Sequence, residues 1–586
     1  MAGTVKRRGN GGPSPKKEPG STSPRAARAA EGLAVALFLA TAIALTWPLA
    51  TQLDQGLPLG TETVATVPLA SLWSLWWNAD RLVVGYEGYW NAPIFHPTAS
   101  PFAFSEAHVL HGVLGSLLFR GTGSWPVSYN AVVLLALTLN GWAAHRLLLA
   151  PSLGRVPSTL GGVLVVALPY VYQELGVLAL VPIWGITISL LAALRFVRAP
   201  EIKSGARLGL TVGVSYLLCG YYGLMTGLLL ALTLPFILLA RLRDPKLWVG
   251  LLVGGLTAGL LVLPIALPQR AASAEEGFER SEKTVAKHSA RAVDHLEAAW
   301  PSFVPAPGGT VSKPSSRAFW PGTVRVFLAL LGLGWALSHR QHKGRALWLL
   351  ALGGLGFLFS LGPHATIGPL SIHDLLRTGL PGYGQMRALF RFAVVPQLIA
   401  TLLAAYGLEA CSRGLFRAVR KPARPGLAVL LSTALAFAAL ADQRPRMGPI
   451  HPLPPLELEL GWIDWIERNT PTDSVFAFLP FPGGRTSADY LGTAQWMYWQ
   501  MRHGRPMVNG YSSFFPKSFR DLKKEVASFP SQSALERLAS YGVEYVVAHR
   551  GFVTGRLDRT SWGGVRLERM FADAATAIDV YRLKHP

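Results

Sequence analysis

The sequence predicts a polytopic α-helical membrane protein with about eleven transmembrane helices, followed by a soluble α/β domain on the extracytoplasmic side. Three observations lead there. Half of the 586 residues are apolar and only 15% are charged, against about 25% charged in ordinary soluble domains. The apolar residues gather in runs near the ~20 residues that a helix rising 1.5 Å per residue needs to cross a bilayer. Short basic clusters fill alternate gaps between those runs, as in loops that stay on the cytoplasmic side.

Residues 1–30 are rich in Gly, Ser, Pro, Lys and Arg and carry almost no large apolar side chains. Such a segment buries too little surface to offset the entropy of ordering, so a disordered basic cytoplasmic tail is expected. The transmembrane region is expected over 31–441. Its candidate spans lie near 31–51, 127–149, 159–174, 177–197, 208–221, 222–241, 247–268, 322–339, 345–362, 390–411 and 425–441. The apolar stretch 108–119 is too short to cross and reads as an interfacial or re-entrant helix.

Loop charges set the direction. With the N-terminus inside, the inner loops hold Arg146 and Arg155; Arg195, Arg198, Lys203 and Arg207; Arg241, Arg243 and Lys246; Arg340, Lys343 and Arg345; and Arg413 to Arg424. The first outer loop, 52–125, has Arg81 and Arg120 against five acids. The outer loop 269–321 is long and mixed in charge, and long loops are weak topology signals. Mean hydropathy is +0.32. The formal charge of +22 is thus topological, and no nucleic-acid partner is expected. The two cysteines, Cys219 and Cys411, provide no disulfide framework and no Cys-based zinc site.

An odd number of spans puts 442–586 outside. There PPLELELGWIDWIERN has the spacing of an amphipathic helix, DSVFAFLP of a strand, and SADYLGTAQWMYWQMRHG of an aromatic-rich helix. KSFRDLKKEVASF and SQSALERLASYG read as helices, VEYVVAH as an alternating strand, and GVRLERMF and TAIDVYRL as a closing strand pair.

Candidate chemistry falls on the outer face. Asp54 follows the first span and Glu62 follows a Gly-containing turn. A carboxylate there either deprotonates an acceptor hydroxyl or holds a divalent cation; a solvated loop acid is the plain alternative. Glu106 precedes His108 and His111, a metal-binding grouping or a helix cap with surface histidines. Trp73, Trp76 and Trp77, then Tyr86, Tyr89 and Trp90, form an interfacial aromatic belt or a platform for a sugar face or a lipid chain. In QMRALFRFAVVPQ, Arg387 and Arg391 stand four apart on an expected helix and share a face. They either clamp a phosphate or pyrophosphate or snorkel to lipid headgroups. Arg377, His364 and His373 share that loop.

Through VPLASLWSLWWN, NAPIFHPTASPFAFSE, MRALFRF, RPMVNGYSSFFP and GVEYVVAH, the chain resembles the GT-C superfamily of membrane glycosyltransferases, and more closely a bacterial group of GT-C-like membrane proteins. The resemblance implies a bacterial cytoplasmic-membrane protein that takes a sugar from a polyprenyl-phosphate donor and passes it to an extracytoplasmic acceptor. It also implies an acid in the first outer loop, as base or metal ligand, and basic groups for the phosphate. One departure is clear. Related sequences carry Gly-Asp where this chain has Thr66-Val67. Glu62 or Asp54 then stands in for the missing acid, or the protein is a catalytically silent scaffold or transporter in envelope polysaccharide assembly.

Overall fold

The computed structural model describes residues 24–150, 153–312, 317–368, 370–379, 383–418, 425–553, 561–562 and 564–584. Most of the predicted disordered tail lies outside the described residues. Its last part, from Pro24, is already helical, because PRAARAA is a run of helix formers that continues into the apolar segment.

The helices are α1 Pro24–Leu45, α2 Thr66–Val83, α3 Val109–Thr122, α4 Trp125–Leu149, α5 Arg155–Val166, α6 Pro169–Gln173, α7 Trp184–Arg198, α8 Ile202–Leu218, α9 Gly220–Leu238 and α10 Pro245–Glu275. They continue with α11 Glu282–Lys287, α12 Thr323–Ser338, α13 Arg340–Ser360, α14 Ile372–Gly379, α15 Val394–Ala418 and α16 Pro425–Asp442. All eleven predicted apolar runs are helical over most of their length. Among the described residues, seven helical stretches are long and apolar enough to cross a membrane, and 323–338 and 426–442 form shorter apolar helices.

Helix α10 is the most lipid-like, with only 11% of its apolar window buried. It starts at an Asp244 cap followed by Pro245. It meets α8 through two matched glycine pairs. A side-chain carbon at Gly205 or Gly209 would overlap the carbonyl oxygens of Gly250 and Gly254. Small residues four apart let the two backbones touch, which is how membrane helices associate where burial gives no drive. Gly332 of α12 and Gly407 of α15 do the same against Leu403 and Leu328.

The region expected outside, called the outer domain below, holds β4 Ile450–Pro452, α17 Gly461–Asn469, β5 Val475–Leu479, α18 Leu491–His503, α19 Lys517–Val526, α20 Gln532–Ser540, β6 Val543–His549, α21 Arg550–Val553, β7 Ser561–Trp562, β8 Val565–Asp573 and β9 Ile578–Lys584. Its sheet runs β5-β6-β9-β8-β7, with β5 and β6 parallel and the other pairs antiparallel. The strands and the β8–β9 pair fall where alternation places them. The expected helix over PPLELELGWIDWIERN is shorter, beginning only at Gly461, because Pro454 and Pro455 and the turn after them hold the preceding residues out of it. Two further small strands, β2 Thr366–Ile367 and β3 Leu370–Ser371, pair in the loop before α14.

The first outer loop is the seat of this domain. Its strand β1, Gly56–Pro58, pairs antiparallel with β4. Phe95 and His96 donate backbone hydrogen bonds to Asn509 and Met507, at 3.0 and 3.1 Å. The aromatic run is not a membrane belt at its centre. Trp73 and Trp77 are buried on α2 and pack on Phe102. Trp73 Nε1 donates to Gln500 Oε1 of α18 at 2.9 Å, and Gln500 Nε2 donates to the carbonyl of Arg505 at 2.9 Å. Gln500 is fully buried. Replacing it with leucine strands an indole N–H and carbonyls away from water, at about 1–3 kcal/mol for each group left unpaired. Gln500→Leu is expected to lower the thermal midpoint in detergent clearly, whereas Gln532→Leu, at an exposed position of α20, leaves it unchanged.

Candidate functional site

A tight turn carries Glu62. Gly60 sits at φ 59°, and a side chain there would collide with the Gln173 carbonyl and the Leu175 amide. Thr61 donates to the Gln173 carbonyl from both its amide and its hydroxyl, each at 2.9 Å. This clasps the 59–62 turn to residues 173–176. It brings Glu62 beside Gly176, and Glu174 into the same neighbourhood, where the charge of Glu62 acts on it.

The arginines come from the link before α15. The expected helix over both is not there. Arg387 and Ala388 are non-helical, and Arg391 sits in a 3-10 turn, Leu389–Ala393. Ala388, at φ −109° and ψ 79°, breaks any continuous helical face. Tyr221 unites them instead. Its hydroxyl accepts from the amide of Arg387 at 3.1 Å, and the Arg391 guanidinium lies 4.4 Å from its ring centre. Tyr221 stands in the first turn of α9. Glu106 caps that turn by accepting from the amide of Gly220, the favourable place for a carboxylate.

Three carboxylates therefore surround Arg391. Burial pushes Glu62 above the usual carboxylate range, opposed by Arg391 and Arg387. Burial also raises Glu106, opposed by the Gly220 amide and Arg391. It raises Glu174 to about 7, opposed by Arg391 and reinforced by Glu62. Among the described residues, no direct ion pair joins Arg387 or Arg391 to a carboxylate, and Arg391 Nε is buried without a partner. The Arg391 guanidinium rests on the Tyr221 ring and keeps its Nε free, and the Arg387 backbone is fixed by the same tyrosine, as a site for a phosphoryl oxyanion requires. The outer domain closes over them with Tyr511, whose hydroxyl burial pushes up to about 12 and which feels Arg387 and Glu62.

The other expected residues lie apart. Asp54 is exposed, and no contact among the described residues joins it to Glu62 or the arginines. His364 is exposed and faces the Ala286 carbonyl at 3.2 Å. His373 is buried with its ring 5.5 Å from that of Tyr383. His108 and His111 are buried rather than surface residues. Among the described residues, no three His, Cys, Asp or Glu side chains are grouped to hold a metal. The acids here encircle a guanidinium, which repels a cation, so this donor set does not fit a resident divalent ion. Thr66 begins α2 and donates to the Ser487 carbonyl at 2.7 Å.

Beside this polar centre lies an apolar cavity of about 230 Å³ between α8, α9 and α10, lined by Val212, Tyr216, Gly223, Leu224, Gly227, Leu228 and Val262. Tyr216 links the two, since it feels the charge of Glu106.

Glu174 and the cavity were not predicted as parts of a site. Glu174 closes an apolar run that reads as a span end, and only the Gly60–Gly176 clasp reveals its place. The glycine spacing in GLMTGLL was the one available signal for the cavity.

No protein-family model and no curated protein matches this sequence. Solved structures do. The oligosaccharyltransferase of Archaeoglobus fulgidus in its apo form superposes over 90% of this chain and 70% of its own, with TM-score 0.51 and 13% identity. The fold is GT-C-like. The archaeal oligosaccharyltransferase AglB from Archaeoglobus fulgidus, in complex with an inhibitory peptide and a dolichol-phosphate, covers 90% of this chain and 69% of its own, at TM-score 0.50 and 13% identity. The mycobacterial arabinofuranosyltransferase AftD covers 95% of this chain but only 40% of its own, with TM-score 0.53 and 14% identity.

The raised carboxyl of Glu174 has a measurable consequence. An unfolded glutamate titrates at about 4.5, so the folded protein binds the extra proton between there and about 7. Stability from this group is full below about pH 4.5 and is lost as pH rises through about 7. The neighbouring groups are Arg391, Glu62, Tyr170 and Tyr222. Glu174→Gln removes this titration. Its thermal midpoint relative to the parent is expected to climb between pH 5 and pH 8; parallel curves exclude it.

Proposed function

We propose that the protein is a membrane glycosyltransferase that moves a sugar from a polyprenyl-phosphate donor to an acceptor hydroxyl on the extracytoplasmic face, within envelope glycan or lipid modification. The observation that carries this reading is the pairing of Glu62 with two guanidiniums lacking direct carboxylate contacts, Arg387 and Arg391, beside an apolar cavity open to a lipid-facing helix. The acceptor oxygen attacks the anomeric carbon and its proton passes to the Glu62 carboxylate. The bond between the anomeric carbon and the phosphate oxygen breaks, and its electron pair leaves with the lipid phosphate. Arg387 and Arg391 stabilise that developing charge, generally the largest contribution to such a step. Glu62, Arg387 and Arg391 form the core of the site; Glu106 and Glu174 position Arg391. The loop charges support a reading in which this site and residues 442–586 face away from the cytosol.

The test is transfer of labelled sugar from a pool of polyprenyl-phosphate donors by the purified protein in proteoliposomes. Transfer that disappears in Glu62→Gln supports the reading; no transfer from any donor overturns it. The second reading, a catalytically silent scaffold, is favoured by one observation. The position where the resemblance implies an acid is Val67, and the neighbouring Thr66 hydroxyl is engaged by the Ser487 carbonyl. Copurification with polymer-export proteins, without transfer, would establish it.

A further inference from the structure

A third arginine reaches the same site from a different element. Arg280 lies in the link between α10 and α11, just after Gly277 turns the chain at φ 60°. The link is fastened to the outer domain. Phe278 stacks on Phe514 with ring centres 4.5 Å apart, and the Glu276 carboxylate accepts from the Lys517 amide at 2.8 Å. Arg280 Nη2 donates to the Ser513 carbonyl at 3.0 Å, and its guanidinium carbon lies 3.8 Å from the centre of the Phe514 ring. Its Nε is buried and has no partner.

The charges around it are unusual. The groups that act on Arg280 are Arg387, a like charge, and Tyr221, the residue that also gathers Arg387 and Arg391. Among the described residues, no carboxylate pairs with it. Burial first, and Arg387 second, push its guanidinium down to about 10. A partly buried cation beside another cation is costly without a counterion. Arg391 has three carboxylates acting on it and Arg387 has Glu62; Arg280 has none of these. The missing negative charge is therefore one that a ligand brings, to the donors that Ser513 and Phe514 leave free.

We propose that Arg280 binds a second phosphoryl-type anion, next to the one held by Arg387 and Arg391, and so determines which substrates the site accepts. This rests on the glycosyltransferase reading above. Two sources have the right chemistry: the second phosphate of a diphosphate-linked lipid, or an anionic group on the acceptor. Both present oxygens that a stacked, planar guanidinium can engage through two N–H groups.

The experiment measures binding to the full-length protein in detergent, with farnesyl phosphate, farnesyl diphosphate, and farnesyl phosphate plus inorganic phosphate as probes. For the parent, the diphosphate should bind about tenfold or more tightly than the monophosphate, the scale of one added charge-assisted contact. If the acceptor is the source, inorganic phosphate should instead tighten monophosphate binding by a similar factor. In Arg280→Gln either preference should fall to near unity, with monophosphate affinity within about threefold of the parent. Arg280→Lys, which keeps the charge, should retain part of it. Equal binding of both lipids by the parent, with no phosphate effect, overturns the role of Arg280 and leaves the glycosyltransferase reading standing. Failure of the parent to bind either lipid overturns both.

Discussion

Arg391→Gln is expected to reduce sugar transfer by at least about 10³-fold, the loss seen when one preorganised donor to a developing oxyanion is removed. Two effects combine. The leaving phosphate loses a guanidinium held over the Tyr221 ring, and the three surrounding carboxylates lose the charge they share. Without it, the carboxyl of Glu62 rises further, so less of it is ionised to serve as the base when the clamp is lost. Stability should fall as well, because three buried carboxyls lose a nearby positive charge. Arg391→Lys keeps the charge but not the planar fork, and an intermediate loss of about 10–100-fold is expected. Transfer in proteoliposomes and thermal unfolding in detergent measure the two effects separately. Transfer within threefold of the parent would exclude Arg391 from the chemistry.

Glu62→Gln is expected to cost about 10²–10⁴-fold in turnover, the usual worth of a positioned general base, with farnesyl phosphate binding unchanged. The pH profile gives an independent sign. Glu62 must be ionised to accept the proton, and burial raises it against the pull of Arg391 and Arg387. Activity should therefore fall on the acid side at a higher pH than an ordinary glutamate would give. The residual rate of Glu62→Gln should lack that limb. Asp54→Asn is the matched control. Asp54 is exposed, so its rate should stay within twofold of the parent. A profile for Glu62→Gln that keeps the acid limb would assign the base elsewhere.

Some of this organisation was visible in the chain alone, and the reason it stops is physical. Apolar run length reports helices because a span must satisfy its own backbone in lipid, so all eleven runs are helical. Short apolar or alternating runs located β5, β6, β8 and β9, because β5 is buried on both faces and the others largely face inward or alternate. Glu62 and the two arginines stood out as polar groups on one predicted face. Local spacing carries no information on contacts between distant segments, however. It put Arg387 and Arg391 on a helix that Ala388 interrupts. It left Trp73 and Trp77 as an interfacial belt or a binding platform, although Trp73 is buried and bonded to Gln500, more than 400 residues later. It treated Arg280 as one charge in a mixed loop, although Ser513 and Phe514 give it its place.

The glycine seam between α8 and α10 also limits what the protein can feel of a lipid. Below Val212 the two backbones touch at Gly209 and Gly254, so the space that begins near Tyr216 ends blind. At about 230 Å³ it is smaller than a pocket for a drug-sized molecule, about 300–1,000 Å³. A polyprenyl tail seated there can lodge only its phosphate-proximal units, and the remainder must turn back into the bilayer. On the glycosyltransferase reading, tolerance of donors that differ widely in chain length is expected, with the headgroup left as the feature by which one donor is told from another.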